Sequence, residues 1–578
     1  MAAHTDDHRT QFLGERSLPV YDGASCPIRW HDRRTQVEAS MSSLGRTLRA
    51  IAVNAHSVWV LQRAGMIDLT APAQVLHTSR TVRTYGAIAG PLRASARREP
   101  DRIALIDEIG SLTYRELDQR SNALARGFTA ASVGPGATVA ALCRDHRGLV
   151  DVMIATAKIG ARLVLLNTGF SGPQLADVAV REDVTALVYD EEFSELLAGV
   201  APSVTRFLAW STTTDSVARI EDIIAANSDD ELEPPVGQGG FVLLTGGTTG
   251  TPRGVPRKVS SPLAAAAFLD RVPLRRNEVV VSAAPLFHGT ALTQFIMALS
   301  LASTVVIRRR FDAEATIASI ATHRATALVV VPTMLRRILD VDTAVRELHD
   351  TSSLRIVFCA GAALPAALGN AAHAAFGPVI YNFYGSTEVG VATISTPEEW
   401  DAAPGTVGSP PRSCTVRIYD EHDVEITEPG RSGTIYVGSA LSFSGYSGGG
   451  GKKAIDGLLS SGDVGHWDHG GRLFIDGRDD DMIVSGGENV YPGEVEELLY
   501  AHPGVAEAAI AAVDDEEFGQ RLAAYIVRRP GHTLDADDVR RYVRDNLARF
   551  KVPRDVTFVD DLPRTATGKL LRRDLTGN

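Results

Sequence analysis

The sequence predicts an α/β protein with a large N-terminal domain of parallel-rich sheets covered by helices, a β-rich subdomain and a small mobile α+β C-terminal domain. Three observations predict this fold. Short apolar runs alternate with helical stretches between residues 80 and 400, as parallel sheets covered by helices require. From residue 405 onward the chain changes to short strands and Gly-rich turns. Its 578 residues exceed what one hydrophobic core supports, so at least two domains are expected.

Seven apolar runs are the predicted strands of the large domain. They are Ile103–Ile106, Thr138–Leu142, Leu163–Leu166, Ala186–Tyr189, Ala327–Val331, Leu354–Cys359 and Val379–Phe383. Helical segments separate them, which is typical of parallel strands joined by helices. In the β-rich part, Gly433–Gly438 is a predicted strand, and Val464–Trp467 with Leu473–Gly477 form a predicted hairpin.

The two ends of the chain are predicted to be separate units. Residues 1–80 are an N-terminal extension with a helix over 43–64, which either docks on the main domain or lies on a membrane surface. One face of this helix carries Leu44, Leu48, Ile51, Ala55 and Val58. The main domain is predicted over 81–477 and the C-terminal domain over 482–578, and the connecting residues 478–481 become a hinge by the family resemblance given below. In that last domain, one helix starts at Pro492 and a second covers Ala536–Leu547.

Composition excludes several classes of protein. A formal net charge of −12 argues against nucleic-acid binding, which needs a basic surface. The four cysteines, Cys26, Cys143, Cys359 and Cys414, are far apart in sequence, so reduced thiols are expected rather than disulfides or a zinc site. The sequence lacks an apolar leader near Met1 and an apolar run long enough to cross a bilayer. We therefore expect a cytoplasmic protein.

The segment Phe241–Gly254 carries the most informative motif. Four apolar residues form a strand that leads into a loop of glycines and threonines, whose backbone N–H and hydroxyl groups suit an anion. A Walker A loop is excluded, because Val255 follows Gly254 where that loop needs lysine. Arg253 adds a fixed positive charge. The predicted phosphate-binding residues are Thr245, Gly246, Gly247, Thr248, Thr249, Gly250 and Arg253.

Thr245–Gly254 resembles the signature of the adenylate-forming superfamily, usually T-S-G-T-T-G-x-P-K-G, which acyl-CoA synthetases, luciferases and peptide-synthetase adenylation domains share. This chain has Gly246 for the serine and Arg253 for the lysine. The resemblance covers roughly residues 95–578. The form Gly-Gly-Glu-Asn-Val-Tyr-Pro at 486–492 looks most like fatty-acyl and aryl CoA ligases, and the N-terminal half, through Asn167–Pro173, resembles actinobacterial fatty-acid–CoA ligases.

Further motifs occur in the order that the superfamily has them. The resemblance implies that Tyr384 stacks on adenine, Thr387 bonds a phosphate oxygen and Glu388 holds Mg²⁺. It also implies that Asp463 accepts the ribose hydroxyls. For His288 it implies a role in gating the acid or in responding to ATP binding, and a structural histidine is the alternative. The nucleotide-binding set that it implies is Gly361, Ala362, Ala363, Tyr384, Gly385, Thr387, Asp463, Ile475 and Arg478.

The C-terminal motif Pro563–Lys569 resembles the element that carries the superfamily's catalytic lysine, which assigns Lys569 to acyl-adenylate formation. The resemblance places a hinge at Asp480 and lets the pantetheine arm of coenzyme A pass Gly486 and Gly487 after the C-terminal domain rotates. The implied catalytic set is Lys569, Thr248, Glu388 and His288.

These expectations describe an ATP- and Mg²⁺-dependent ligase that converts a fatty acid to an acyl-adenylate and then to a coenzyme A thioester. An aryl-acid–CoA ligase and a fatty acyl-AMP ligase that serves a carrier protein are the nearest alternatives, followed by a luciferase-like oxidase. A non-catalytic nucleotide-binding protein is the alternative of a different class. A homodimer and a peripheral membrane contact stay open.

Overall fold

Two sheets of mainly parallel strands form the centre of the large domain in the computed structural model, which describes residues 51–212, 217–245, 252–257, 265–443, 445–485, 488–515, 519–565 and 570–576. Met1–Val53 and Asn54–Asn578 are separate units, and of the first only residues 51–53 are described, as helix. The described part of α1 covers residues 51–64; its residues 54–64 and all elements discussed below belong to the second unit.

The first sheet of the large domain has six strands. In chain order the elements of this half are α2 (Pro72–Arg98), β1 (Ile103–Asp107), β2 (Gly110–Thr113), α3 (Tyr114–Ala130), β3 (Thr138–Leu142), α4 (Arg147–Lys158), β4 (Arg162–Leu165), α5 (Gly172–Arg181), β5 (Ala186–Asp190), β6 (Thr205–Trp210), α6 (Ile220–Ala226), β7 (Phe241–Thr245) and β8 (Arg253–Arg257). The six strands of the first sheet are β3 to β8, whereas β1 and β2, which precede them in the chain, belong to the second sheet. The strand order is β6-β5-β3-β4-β7-β8, and only the last pair is antiparallel. Every residue of β3 and β5 is buried, as expected where helices cover both faces.

The second sheet has eight strands. Its further elements are α7 (Ala266–Leu269), β9 (Val279–Ser282), α8 (Gly289–Ser300), β10 (Thr304–Ile307), α9 (Ala313–His323), β11 (Ala327–Val330), α10 (Pro332–Leu339), α11 (Thr343–Glu347), β12 (Ile356–Cys359), α12 (Ala366–Phe376), β13 (Ile380–Ser386), β14 (Gly390–Ser395) and α13 (Pro397–Ala402). The order is β14-β13-β12-β11-β9-β10-β1-β2. A continuous apolar core packs the two sheets together; it includes Val139 and Leu163 of the first sheet, Phe358 of the second, and Phe128 and Phe295 of the covering helices α3 and α8.

A third, antiparallel sheet follows. It contains β15 (Thr415–Tyr419), β16 (Glu425–Ile426), β17 (Gly433–Gly438), β18 (Ala454–Ile455), β19 (Leu458–Trp467) and β20 (Leu473–Arg478). The C-terminal part has β21 (Ile483–Ser485), β22 (Glu488–Val490), α14 (Pro492–Tyr500), β23 (Val505–Asp515), β24 (Gly519–Arg528), α15 (Ala536–Asn546), β25 (Asp555–Phe558) and α16 (Arg572–Thr576). Its strands form a sheet with its own core, which includes Val495, Ile526 and Val543.

The predicted fold class is confirmed, and most predicted elements lie within two or three residues of those observed. Two expectations are wrong. The first strand of the predicted hairpin is longer than Val464–Trp467, because β19 begins at Leu458 to pair with β17, and it therefore includes Ser461–Asp463. The predicted apolar face of the first helix is also not the buried one. Ile51 and Ala55 are exposed, whereas Val60, Leu61 and Ala64 are buried, so a different stripe docks on the domain. Leu44 and Leu48 lie outside the described residues.

Cys143, Cys359 and Cys414 are buried free thiols, in agreement with the expectation of reduced cysteines, and Cys26 lies outside the described part. Within the described ranges, none of the helices combines the length and the hydropathy that crossing a bilayer requires.

Candidate active site

One large cavity of about 2520 Å³ lies where the carboxyl ends of the central strands meet the β-rich and C-terminal sheets. Ligand sites of α/β proteins form at such strand ends. The predicted site residues that line it come from segments far apart in the chain: Arg253, His288, Gly361, Ala362, Ala363, Tyr384, Gly385, Thr387, Glu388, Asp463, Ile475 and Arg478. The structure therefore brings these candidates together around one space.

The base of the predicted phosphate loop is a β-hairpin. β7 and β8 pair antiparallel up to Thr245 and Arg253, which close the loop between them. Residues 246–251, including Gly246, Gly247, Thr248, Thr249 and Gly250, lie outside the described residues. Gly254 accepts the backbone N–H of Ser447 at 2.9 Å, and a Cβ there would lie 2.4 Å from Ser447 Oγ. A side chain at position 254 would therefore displace the Ser447 side chain at this end of the loop.

Glu388 is held by two hydroxyl donors. Tyr446 Oη donates to its Oε1 at 3.1 Å and Ser386 Oγ donates to its Oε2 at 3.0 Å. The Arg253 guanidinium stacks over the Tyr446 ring, 5.3 Å from its centroid. Burial, together with the Glu388 carboxylate, raises the pKa of Tyr446 to about 12, so this phenol stays a proton donor. A fixed carboxylate beside the Thr387 hydroxyl is a donor set that fits Mg²⁺ in company with phosphate oxygens.

A second arginine, Arg257, supports the segment that carries this carboxylate. The Arg257 guanidinium donates to the backbone carbonyls of Thr387 and Leu441. Burial lowers the pKa of Arg257 to about 10, and the Glu388 carboxylate opposes that shift. Arg257 thus anchors the backbone that presents Thr387 and Glu388, a role that sequence analysis missed because no motif marks it.

The Tyr384 hydroxyl donates to Asp463 Oδ2 at 2.7 Å, which joins β13 to β19. Burial and this carboxylate raise the pKa of Tyr384 well above its usual range. In the β19–β20 hairpin Asp463 faces Arg478, so a carboxylate and a guanidinium lie side by side at the cavity. Sequence analysis missed Lys452, whose Nζ donates to Ser461 O at 3.3 Å and which lines the same edge. The scarcity of lysine in this chain was the signal that could have drawn attention to it.

The small residues after β12 and within β13 keep backbone close to the cavity. Gly361 has a φ of +93°, which favours glycine. A Cβ on Gly385 would lie 2.1 Å from Gly390 O, so the β13–β14 pair also requires glycine. Ala362, Ala363 and the half-buried Ile475 complete this wall.

His288 precedes α8 and faces the cavity without a charge. Burial lowers its pKa to about 3, and its buried Nε2 has no hydrogen-bond partner among the described residues. The Phe287 ring lies 4.3 Å away between ring centroids. A neutral imidazole with one unpartnered nitrogen is suited to contact a substrate, but it cannot supply an imidazolium charge near pH 7.

The loop that presents His288 is held by a buried acid that sequence analysis missed. Both carboxylate oxygens of Asp145 accept the backbone N–H of Leu286, at 3.1 and 3.2 Å. Burial raises the pKa of Asp145 to about 7, opposed by the hydrogen bond from Leu286 and supported by nearby Asp190 and Glu108. Asp145 lies between β3 and α4, where no motif identifies it.

Next to Asp145, the cluster of Cys143, His146 and Asp190 is the only group within the described part whose ligand atoms are close enough for a shared metal. His146 uses both ring nitrogens for protein contacts. Its Nε2 lies 2.8 Å from Asp190 Oδ1 and its Nδ1 accepts the backbone N–H of Gly148 at 3.0 Å. The cluster is therefore a satisfied buried network that fixes the start of α4.

The C-terminal sheet borders the same cavity. Arg564, Thr565 and Leu570 line it, and Arg564 pairs with Leu570 in a β-bridge that closes the intervening loop. Lys569 in this loop, and Gly486 and Gly487, lie outside the described residues. Asp480 belongs to a 3₁₀ turn, Asp479–Asp481, that connects β20 to β21.

Comparison with known proteins gives matches along most of the chain. The model for "AMP-binding enzyme" matches residues 92–447, and that for "AMP-binding enzyme C-terminal domain" matches 494–569. The chain is 32% identical to an indoleacetate–CoA ligase of Aromatoleum aromaticum, over 82% of this chain and 95% of that protein. It is 30% identical to the fatty acid–[acyl-carrier-protein] ligase ScoC of Streptomyces coeruleorubidus, over 83% and 94%.

A solved structure has the same fold. The o-succinylbenzoate CoA synthetase of Bacillus subtilis, in complex with its acyl-adenylate intermediate, superimposes with a TM-score of 0.73 at 28% identity, over 84% of this chain and 97% of that one. These matches show the superfamily. They mix aryl-acid and fatty-acid ligases, so the narrower resemblance to actinobacterial fatty-acid–CoA ligases stays a prediction.

We expect Asp145→Asn to change how stability depends on pH. The pKa of Asp145 is raised in the folded state, so the unfolded chain ionises first, and wild-type stability falls as pH rises from about 4 to 7, by up to about 1.4 kcal/mol per pH unit. Asparagine keeps an acceptor for Leu286 and removes this loss. In thermal unfolding, the melting temperature of the variant relative to that of wild type should be higher at pH 8 than at pH 5.

Asp101→Asn, at a surface carboxylate with 84% exposure, is the matched control and should follow wild type at both pH values. A constant difference between Asp145→Asn and wild type across this range would contradict the assignment.

Proposed function

The chain belongs to the AMP-binding enzyme family, and from this membership we propose that it is an ATP-dependent acid–thiol ligase that joins a carboxylic acid to coenzyme A through an acyl-adenylate. The observation that carries the proposal is the convergence of Arg253, Glu388, Asp463 and Arg478 on one cavity. The same cavity is lined by Thr565 and Leu570, on either side of the segment that contains Lys569.

In the first reaction, a carboxylate oxygen of the acid attacks the α-phosphorus of ATP, an O–P bond forms and pyrophosphate leaves with its bonding electrons. The phosphate loop and Arg253 hold the leaving pyrophosphate, and Lys569 neutralises charge at the reacting centre. Glu388, oriented by Tyr446 and Ser386, would hold Mg²⁺, which supplies positive charge against the phosphates. The acid needs no base, because it is already ionised near pH 7.

The nucleotide is held at the edge formed by β13 and the β19–β20 hairpin. Asp463 has two oxygens for the ribose hydroxyls, and Tyr384 fixes its orientation through the 2.7 Å hydrogen bond. Arg478, opposite Asp463 in the hairpin, is positioned for the ribose or the α-phosphate. The neutral His288 and the backbone of Gly361 to Ala363 face the acyl group.

In the second reaction, the thiol of coenzyme A loses its proton, its sulfur attacks the acyl carbonyl, and AMP leaves. We propose that the C-terminal domain, residues 482–578, rotates about the turn at Asp480 between the two reactions. This exchange replaces the Lys569 segment by Gly486 and Gly487, where small residues admit the pantetheine arm.

We further propose an aliphatic acid as substrate. The cavity continues from His288 along an uncharged wall of α8 that includes Ile296 and Met297 and is longer than a single aromatic ring, and one relative is a fatty-acid ligase. The second candidate is an aryl acid, because the name of another relative is indoleacetate–CoA ligase. A carrier-protein acceptor in place of coenzyme A is the remaining alternative, suggested by the name of ScoC.

We expect AMP release, dependent on ATP and coenzyme A, with straight-chain acids from hexanoate to hexadecanoate, at kcat/KM roughly tenfold above that with benzoate, cinnamate or indoleacetate. The measurement is a coupled AMP assay with each acid. Higher kcat/KM for the aromatic acids would favour the second candidate. Adenylate formation with no response to coenzyme A would favour the carrier-protein acceptor, and no acid-dependent pyrophosphate exchange at all would contradict the ligase.

We expect Lys569→Ala to lower acyl-adenylate formation by roughly a hundredfold or more, because removal of a charge that stabilises the transition state has effects of this size. Thioester formation from supplied acyl-adenylate should stay within about twofold of wild type. The control is Lys453→Ala, an exposed lysine paired with Asp423 at 2.6 Å, which should leave both reactions unchanged. Equal loss of both reactions in Lys569→Ala would argue against domain alternation.

We expect Tyr446→Phe to raise the Mg²⁺ concentration that gives half-maximal adenylation by roughly threefold to tenfold, because Glu388 loses one of its two hydroxyl donors. Tyr419→Phe is the control, since its hydroxyl contacts Asp456 at 3.3 Å in the β-rich sheet. The measurement is a Mg²⁺ titration of pyrophosphate exchange. An unchanged midpoint in Tyr446→Phe would show that Tyr446 does not orient a metal-binding carboxylate.

A further inference from the structure

The cavity extends away from the nucleotide edge along one face of α8. The lining residues of this face are Gly289, Thr293, Ile296, Met297 and Ser300. Their spacing of three or four residues is that of a single helix face, and from first to last it covers roughly 16 Å at 1.5 Å per residue. His288, beside the acyl end of the proposed adenylate, stands at the start of this face.

The second half of α2 forms the facing wall. Ala87, Pro91, Ala94 and Arg98 line the cavity with the same helical spacing. The two helices are joined by direct contacts, including a hydrogen bond from Ser95 Oγ to Leu299 O at 2.6 Å. The space between the two faces is therefore a channel with helical walls, and the side chains that line it between His288 and Arg98 are uncharged.

The far end of the channel is bordered by the connection between α1 and α2. Met66 and Ile67 line it there, and Met66 is buried. The half-buried Arg98 guanidinium donates to Met66 O at 3.4 Å and to Ser300 O at 3.2 Å, so it ties this connection to the end of α8. The channel thus reaches a buried methionine and the arginine that holds it in place.

A break in α2 brings a further segment to this end. Gly86 has a φ of +76°, and a Cβ on Gly90 would lie 2.7 Å from Val82 Cα, so the first half of α2 folds closely onto the second. Thr78 and Val82 of that first half also line the cavity. These residues, with Met66 and Ile67, precede residue 92, where the family match begins.

We propose that residues 66–98, most of which precede the matched family domain, form the closed end of the acyl channel and set the longest acid that the enzyme accepts. This inference rests on the proposed function. A packed apolar end cannot receive additional methylene groups without displacing side chains, and each methylene that stays outside loses its burial. Met66 and Ala94 are therefore specificity-determining residues outside the nucleotide site.

The test is the kcat/KM profile over straight-chain acids, from hexanoate to octadecanoate, for wild type and three variants. Ala94→Phe fills the channel and should lower kcat/KM for the longest acids that wild type accepts by roughly tenfold, with hexanoate within about twofold. Leu76→Phe, on the same helix but at a position that is 52% exposed, is the matched control and should keep the wild-type profile.

Met66→Ala removes volume at the closed end and keeps the proposal testable if Ala94→Phe does not fold. It should raise kcat/KM by roughly threefold or more for acids just longer than the wild-type optimum, with thermal unfolding recorded to confirm a folded protein. A length profile of the folded variants that is unchanged, or lowered equally for all acids, overturns this inference while wild-type AMP release upholds the ligase. A wild type that activates no acid overturns both.

Discussion

The hydrogen bond between Tyr384 and Asp463 is the contact on which the site depends. It joins β13, in the eight-stranded sheet, to β19, in the β-rich sheet, at 2.7 Å. Neither sheet carries the full set of proposed nucleotide-binding residues by itself, because Thr387 and Glu388 lie between strands of the eight-stranded sheet, whereas Asp463 and Arg478 lie on the β-rich sheet. Burial and the Asp463 carboxylate raise the pKa of the Tyr384 phenol well above its usual range, so this group stays a proton donor at physiological pH.

Two further links from the β-rich part reinforce the same junction. Tyr446 reaches Glu388 at 3.1 Å, and the Ser447 N–H reaches Gly254 O at 2.9 Å at the base of the phosphate loop. The segment that contains both residues therefore touches the metal-binding candidate and the phosphate loop at once. Arg257 supports the same place, because it donates to Thr387 O from 130 positions away in the chain. These shared contacts explain how residues far apart in sequence keep one geometry.

Features of the fold and the site could be predicted where neighbouring residues in the sequence determine them, and not where distant partners do. Strands such as Thr138–Leu142 were predictable because all their residues are apolar and buried, and the glycine and carboxylate motifs were predictable because backbone approach and anion binding restrict residue type locally. Tyr446, Arg257 and Asp145 were not, because their roles come from partners 58, 130 and 141 positions away. The face of the first helix was mispredicted for a related reason: its sequence offers two apolar stripes, and tertiary packing selects Val60, Leu61 and Ala64.

The same geometry assigns the proposed ATP site and the proposed acyl channel to different parts of the fold. The residues that we propose for ATP lie at strand ends whose positions are fixed by sheet register, in the fold that the relatives share. The proposed acyl channel, in contrast, is lined by helix faces and by a connection that register does not constrain, and part of that wall comes from residues before position 92. Two relatives are named for indoleacetate and for a fatty acid. A channel wall that sheet register does not fix is where a difference in acid can be accommodated without moving the proposed ATP site.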